Sequence, residues 1–298
     1  TGRIVWKDDL PRDSILEYQP GSPLVAEING RAQVIMGQGD GWLRSFDPAT
    51  GAVLWKFDMN PKTTKWELGA GENARNMIPA TPVLHDNRVY IANGLGLHYG
   101  ARPGRLCCID PKCRGDISAE LAVDTQGRQI AHRTIQAVDV SRGEKAIANP
   151  NSGLRWEYTT STANAEQRMH GMIANVAIAA GLAIAPDVDG YVHCLHAKTG
   201  KSYWTYDAMA TLYASPLIVD GHIYVADDDG DVAILRLSAD PEVALPGGKP
   251  IAEINMGSSV FCSPIFANGT LYIATRSRLF AIHNEGGRVS PHRPMPGR

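Results

Sequence analysis

Short apolar runs alternate with polar turns along the whole chain, and the runs recur in a fixed order. The first kind of run begins with Ser-Pro or Thr-Pro and continues with apolar residues. Short runs of this length, bounded by turn residues, are typical of β-strands. The copies of this first run begin at Ser22, Thr81, Ser215 and Ser263, with a divergent copy at Asn175.

Two further runs follow each copy of the first. The second run is β-branched and aromatic and comes after a turn that contains Asn or Gly. Its copies lie at residues 34–36, 89–91, 182–184, 223–225 and 271–273. The copies of the third run lie at residues 42–46, 105–109, 191–195, 231–235 and 278–282. Self-similarity of this kind indicates one structural unit repeated along the chain.

A fourth strand is predicted where a Thr-Gly turn leads into a tryptophan. This pattern gives Trp6, Trp55 and Trp204, and a copy one residue shorter gives Trp156. The fourth repeat lacks the pattern, and residues 249–253 are expected to supply its outer strand. A large aromatic ring at a recurring position is suited to packing between neighbouring units. We therefore expect Trp55 and Trp204, together with Trp42 of the third run, to lie between blades.

The turns between the second and third runs carry Asp-Gly. The three copies are Asp40-Gly41, Asp189-Gly190 and Asp229-Gly230. Glycine adopts positive φ without steric cost, which tight hairpins require. We therefore interpret these aspartates as turn residues.

Four strands in a repeat of about 40–50 residues are the signature of a β-propeller. A β-solenoid is the alternative, but its repeats are usually too short for four distinct strands. We predict an all-β fold: a β-propeller of four-stranded antiparallel blades with five repeats visible.

The repeat resembles that of the pyrroloquinoline-quinone-type (quinoprotein-like) propeller family. The copy at residues 215–232 shows the resemblance best: Ser-Pro, a glycine turn, Tyr224 and Asp-Gly in the family's order. The resemblance extends from Thr1 to about Asn284. It implies either a quinone-dependent dehydrogenase or a non-catalytic propeller such as the outer-membrane assembly lipoproteins, because this fold hosts both.

The repeat also sets the expected domain boundaries. Residues 1–285 are predicted to form the propeller, with residues 110–150 inserted in the second blade and residues 286–298 a disordered tail. Within the insertion we expect a short hairpin between residues 121–123 and 129–130. The strand at residues 2–7 could complete the fifth blade and close the ring. Otherwise the chain is a fragment of a seven- or eight-bladed propeller, as members of the family usually are.

Composition narrows the function classes. Of the 298 residues, 29 are basic and 31 acidic, which gives a net charge of −2. The sequence shows no cluster of Lys and Arg of the kind that binds nucleic acid. No apolar run approaches the length of about 20 residues that spans a bilayer. No signal peptide is visible, although the chain begins at Thr1 and a targeting segment could precede it. The five cysteines form no C-x-x-C motif.

The candidate binding site lies on the loops between blades and between second and third strands, which share one end of a propeller. Polar side chains from several blades converge there. Several arginines would suit an anionic ligand, although each arginine could instead pair with a nearby glutamate such as Glu67, Glu72 or Glu166. The predicted ligand-binding residues are Arg75, Asn76, Arg168, His170, Tyr213 and Arg276.

Other residues with reactive chemistry fit structural roles better. Cys107 and Cys108 are adjacent in a predicted strand and should point to opposite faces. Residues 227–231 are rich in aspartate but lack the spacing of a calcium loop. His193 and His196 also fall on opposite faces of a strand. We expect no metal site and no catalytic residue.

Two functions remain open at this point. The first is a non-catalytic scaffold, periplasmic or extracellular by resemblance, that binds a protein or a small anionic ligand at its loop face without a cofactor. The alternative is a quinone-dependent dehydrogenase that holds pyrroloquinoline quinone and calcium. Glu67, Glu72, Glu157, Asn164 and Glu166 have suitable chemistry for calcium, but they match no motif of the enzymes.

Overall fold

The computed structural model describes residues 2–65, 75–94, 103–131, 133, 137–159 and 169–283. Strands dominate this part of the chain, and most of them form successive antiparallel sheets of four. The structure therefore confirms the all-β propeller architecture predicted from the repeat. We number the sheets as blades 1 to 5 in chain order.

Each blade begins at its innermost strand and runs outward by antiparallel pairing. Blade 1 contains β1 (Leu24–Ile28), β2 (Arg31–Gly37), β3 (Trp42–Phe46) and β4 (Val53–Asp58). Blade 2 contains β5 (Val83–His85), β6 (Arg88–Asn93), β7 (Arg105–Ile109) and β11 (Leu154–Tyr158). Blade 3 contains β12 (Ala177–Ala179), β13 (Leu182–Pro186), β14 (Tyr191–His196) and β15 (Ser202–Asp207).

Blade 4 contains β16 (Leu217–Val219), β17 (His222–Ala226), β18 (Asp231–Arg236) and β19 (Ala252–Asn255). A short helix, α1 (Pro241–Ala244), lies between its third and fourth strands. Blade 5 has three strands in the described part of the chain: β20 (Ile265–Ala267), β21 (Thr270–Ala274) and β22 (Leu279–His283). The outer strand of blade 4 is β19, which begins three residues later than the predicted one at 249–253.

The hydrophobic core lies between the blades. Middle strands such as β13 are buried on both faces, because one blade covers each face. The first core cluster joins blades 1 and 2, the second joins blades 2 and 3, and the third joins blades 3 and 4. Each sheet is too small to be stable alone, so this stacking stabilises the fold.

Outer-strand tryptophans seal these junctions. Trp156 Nε1 donates to the carbonyl of Ala197 at 2.9 Å, and Trp204 Nε1 donates to that of Ser238 at 2.8 Å. Both acceptors belong to the next blade, as the repeat predicted for Trp204. Trp42 differs: it is buried on the outer part of blade 1, where Lys62 Nζ lies 4.4 Å from its ring centroid.

The predicted insertion wraps around blade 1. Its strand β8 (Gly115–Asp116) pairs in parallel with β4, which adds a fifth strand to that sheet. Its strand β9 (Glu120–Val123) pairs antiparallel with β10 (Lys145–Ala148). A bridge between Val123 and Gln129 forms the expected short hairpin, but the longer pairing with β10 was not predicted.

The N-terminal segment does not close the ring in the described structure. Residues 2–9 form no strand, and β22 has no fourth-strand partner among the described residues. Trp6 instead stacks on Phe46, with ring centroids 5.8 Å apart, and its Nε1 donates to the carbonyl of Pro48 at 2.8 Å. Trp6 thus contacts blade 1 as Trp156 contacts blade 3. The predicted tail, 286–298, lies outside the described residues.

Candidate functional site

One backbone hydrogen bond recurs at the end of the propeller where the inter-blade loops lie, which we call the loop face. In each case the donor is the N–H of a residue in the turn between the second and third strands of a blade, which we call the second turn. The acceptor is a carbonyl of the inter-blade loop that leads into the same blade. This bond brings the two predicted classes of loop together. The donor and acceptor pairs are Gly94 with Met77, Val188 with Gly171, Asp228 with Thr211, and Arg276 with Ser259.

A polar side chain lies at the end of the second strand of every blade, as the last residue of the strand in blade 2 and directly after the strand in the other four. It stands at the loop face, where the chain turns toward the third strand. These residues are Gln38, Asn93, Asp187, Asp227 and Thr275. The sequence analysis missed this position because it concentrated on the Asp-Gly residues that follow. The signal was a polar residue at the same place in all five repeats.

Asp187 has the most elaborate environment of this set. Its Oδ2 lies 3.1 Å from His170 Nδ1 and 3.1 Å from His193 Nε2, and its Oδ1 accepts the backbone N–H of Tyr191 at 3.0 Å. An ionised carboxylate can only accept, so both imidazole nitrogens donate. Burial alone would raise the pKa of Asp187, but the hydrogen bonds from the two histidines outweigh it and lower the pKa to about 2.

Asp227 occupies the same position in blade 4 without imidazole partners. Its Oδ1 accepts the N–H groups of Gly230 and Asp231, each at 2.9 Å. This is the geometry of a turn, as predicted for the aspartate-rich segment, and Gly230 has φ of +95°. Burial raises the pKa of Asp227, and repulsion from Asp231 adds to the rise.

The structure buries Arg75, the first predicted ligand residue. Its Nη2 donates to Asp58 Oδ1 at 2.8 Å, and both side chains are fully buried. Lys62 Nζ donates to the other oxygen of Asp58 at 2.8 Å. Burial would raise the pKa of Asp58, but Arg75 and Lys62 hold it at about 2. Arg75 therefore ties the loop to blade 1 and does not expose its guanidinium to a ligand. The sequence analysis did not identify its partner, Asp58, at the end of β4.

Asn76 and His170 lie at equivalent positions of successive loops, one residue before the recurring acceptor. Both are nearly buried. Asn76 Nδ2 donates to the carbonyl of Pro103 at 3.0 Å, and Pro103 forms a β-bridge with His170. The structure thus brings these two predicted residues together through Pro103, as part of the connection between blades.

Tyr213 and Arg276 are the predicted residues that reach the surface. The ring of Tyr213 lies 5.3 Å from that of Phe261, which is 44% exposed. Arg276 is exposed on the turn between the second and third strands of blade 5, and Met209 is 84% exposed on the inter-blade loop that also carries Tyr213. We call Met209, Tyr213, Phe261 and Arg276 the aromatic patch. Arg168 lies outside the described residues.

The charges near the aromatic patch are mostly negative. Asp189, Asp207 and Asp229 are exposed on the loop face of blades 3 and 4. Arg276 is the exposed cation among the predicted residues that the structure describes. This distribution favours a partner that buries apolar surface over a small anion.

A polar cleft of about 300 Å³ lies between blades 1 and 2 at the same end. Asn76, Asn93 and Glu157 line it. Glu157, one of the carboxylates considered for calcium, forms an ion pair with Arg105. The other residues considered, Glu67, Glu72, Asn164 and Glu166, lie outside the described residues, so Glu157 alone can be judged, and its pairing with Arg105 does not fit a calcium ligand. Among the described residues, no three His, Cys, Asp or Glu side chains cluster to hold a metal ion.

The two adjacent cysteines lie in the core. Cys107 and Cys108 are buried in β7, and burial raises their pKa values to about 12 and about 11. A thiol is a poor nucleophile while it is protonated. Their environment is that of ordinary strand cysteines. No helix within the described ranges is long and apolar enough to cross a membrane.

The fold is a β-propeller built from pyrroloquinoline-quinone-type repeats. Its marks are the successive blades, the recurring loop bond and the tryptophans that contact the next blade. The family model described as outer membrane protein assembly factor BamB matches residues 1–110 and 145–296. The chain belongs to this family.

Individual relatives are distant. BamB of Moranella endobia (strain PCIT) is 22% identical over 267 residues, which cover 84% of this chain and 62% of that protein. The crystal structure of BamB from Moraxella catarrhalis has a TM-score of 0.53 at 20% identity, covering 88% of this chain and 58% of that one. Saccharomyces cerevisiae Sqt1 gives a TM-score of 0.51 at 10% identity and shows the shared fold. This chain spans about three fifths of these relatives.

Proposed function

We propose that this protein is a non-catalytic scaffold that binds a protein partner at its loop face during outer membrane protein assembly, in the periplasm. Membership of the BamB family supports the biological context. The proposal assigns the chain neither a cofactor nor a catalytic residue.

The observation that carries the proposal is the aromatic patch. Tyr, Phe, Met and Arg are enriched where protein interfaces bury their central contacts. Here they come from two successive inter-blade loops and the second turn of blade 5. The recurring backbone bonds, such as Arg276 N–H to Ser259 at 3.0 Å, hold these loops against rigid blades. A patch held in this way loses little conformational entropy on binding.

Site-specific photocrosslinking tests the proposal. A crosslinking amino acid replaces Phe261 in the protein expressed in a bacterium that assembles outer membrane proteins. We expect a discrete product containing an assembly component. A crosslinker at Asn268, on an exposed turn at the opposite end of blade 5, is the matched control and should give no such product. The same product from both positions, or none from Phe261, would contradict a partner at the aromatic patch.

An activity assay tests the dehydrogenase alternative. The purified protein is incubated with pyrroloquinoline quinone and calcium, then assayed with alcohols and a dye acceptor. We expect no turnover above background. Turnover that disappears in a Tyr213→Ala or Arg276→Ala variant would show that the loop face is catalytic.

A further inference from the structure

A cavity lies at the end opposite the loop face, between blades 2 and 3. It has a volume of about 620 Å³, within the range of small-molecule sites. Turns that precede second and fourth strands form its walls. The lining residues are His85, Asp86, Arg88, Tyr90, Cys108, Arg155, Gly181, His196, Ala197 and Lys198.

The cavity exists because the turn between the third and fourth strands of blade 3 is short. In blade 4 the corresponding connection is long, and Ala244 and Leu245 from it pack into the core between blades 3 and 4. In blade 2 the corresponding connection is the insertion, and its Ile117 packs into the core between blades 1 and 2. Blade 3 supplies only the small side chain of Ala197 at this place. The space between blades 2 and 3 is therefore left unfilled at this end of the propeller.

Two arginines are held in position on one wall. Arg88 Nη1 donates to Asp110 Oδ2 at 3.3 Å, and Arg155 Nη2 donates to the same oxygen. Each guanidinium carries five N–H donors. Sharing one carboxylate oxygen fixes both side chains and leaves most of their donors for a second acceptor. Asp110 itself is largely buried behind them.

The charge of the cavity is positive. Arg88, Arg155 and Lys198 face two carboxylates, Asp86 and Asp110, so one positive charge is in excess before either lining histidine is protonated. Asp86 is highly exposed and lies 3.5 Å from His85. Lys198 is exposed on the opposite wall, in the turn of blade 3.

The floor of the cavity is less polar. The ring of Tyr90 and the side chain of Ala197 are buried there, and Tyr90 Oη donates to the carbonyl of Ala197 at 3.1 Å. We propose that this cavity binds a small organic anion, a carboxylate or phosphate joined to an apolar group. The anion lies between the two arginines and Lys198, and the apolar group lies against Tyr90 and Ala197. This site is independent of the loop face and of the function proposed there.

Titration calorimetry with defined probes tests the site. Benzoate and phenyl phosphate should bind the purified protein, whereas benzamide, the neutral isostere of benzoate, should not. Inorganic phosphate should bind more weakly than phenyl phosphate because it has no apolar group. Lack of binding by both organic anions, or equal binding of benzoate and benzamide, would overturn the proposal. Equal affinities for the two phosphates would overturn the apolar half of it.

Variants locate the binding. Lys198→Glu and Arg155→Gln should each weaken benzoate about tenfold or more, as expected for loss of a charge-assisted hydrogen bond. Lys201→Glu makes the same charge change at an exposed residue of the same turn that does not line the cavity, and it should leave the affinity unchanged. Lys198 is exposed, so its variant tests the site without disturbing the core. Affinity that is unchanged in Lys198→Glu and Arg155→Gln, or equally reduced in Lys201→Glu, would place the ligand elsewhere.

Discussion

The second turns of blades 3 and 4 share one backbone design but differ in the charge environment of one aspartate. In blade 3, Asp187 N–H donates to the carbonyl of Tyr191 at 2.8 Å, and in blade 4, Asp227 N–H donates to that of Asp231 at 3.1 Å. Each aspartate also accepts backbone N–H groups of its own turn. The two turns therefore form in the same way.

The difference comes from two neighbouring positions. Blade 3 has His170 on the entering loop and His193 as the third residue of β14, and both contact Asp187. The equivalent residues around Asp227 are Ala210 and Ala233. The pKa of Asp187 is thereby lowered and that of Asp227 raised. The comparison teaches that the turn determines where the carboxylate stands, while its partners determine whether ionisation stabilises or destabilises the fold.

The largest expected difference is in stability. Asp187→Ala leaves two imidazoles and three backbone N–H groups without their acceptor, and we expect a loss of about 3–5 kcal/mol. Asp227→Ala removes only backbone contacts of a turn and should lose about 1–2 kcal/mol. Urea unfolding at pH 7 measures both. Equal losses would show that the histidines contribute nothing to the difference.

The second-largest expected difference between the two turns is in how stability depends on acidic pH. A carboxylate whose pKa is lowered on folding stabilises the protein above its ordinary value, and this contribution is lost as the pH falls through the folded value. For Asp187 the window runs from about pH 4 to about pH 2, and the contribution is about 2 kcal/mol. Urea midpoints across this range should fall less steeply in Asp187→Asn than in the unaltered protein. Parallel curves would contradict the low pKa.

Removing an imidazole should make Asp187 resemble Asp227. His193→Ala deletes one of the two donors to Oδ2 while burial remains, so the pKa of Asp187 should move upward. Carbon-13 NMR of the aspartate carboxyl groups measures it directly. His196→Ala, on the opposite face of the same strand, is the control and should not change this pKa.

The smallest effect is expected at Asp227. Because its pKa is raised on folding, its contribution is complete below its ordinary value and is lost as the pH rises through the folded value. Asp227→Asn keeps an oxygen for Gly230 and Asp231 but removes the charge. Since Asp227 is partly screened by solvent, we expect a gain of roughly 0.5 kcal/mol at pH 7 and none near pH 3. Thermal unfolding at both pH values tests this, and a loss at pH 7 would reverse our interpretation.

The local features of the fold were predictable from sequence. Strand order, the Asp-Gly turns and the contact of Trp204 with the next blade follow from alternation and turn chemistry within one repeat. The pairing of β9 with β10 was missed because 21 residues separate Val123 from Lys145, and no periodic pattern connects them. The position of Trp42 was misjudged because the inserted segment covers blade 1 there.

The candidate site was harder to predict for the same reason. From their positions on loops, the sequence analysis placed Asn76 and His170 at one end of the fold, and the structure places both there. Loop position could not show that Arg75 turns inward, since its partner Asp58 ends a strand and no sequence pattern links the two residues. The imidazole pair at Asp187 also comes from distant parts of the chain, one on a loop and one on a strand. Side-chain contacts between distant parts of the chain can be identified only from the three-dimensional structure.

The recurring bond between second turns and entering loops uses main-chain atoms only. Any residue other than proline can provide the donor, and any residue can provide the acceptor. Gly94 is the exception among the donors, because a Cβ there would lie 2.9 Å from the backbone N of Met172. The valine, aspartate and arginine that donate in blades 3 to 5 are interchangeable for this purpose. Amino-acid replacement at these places can therefore change what the loop face displays without altering how the blades are joined. A family held together in this way can diverge widely in sequence while its architecture persists.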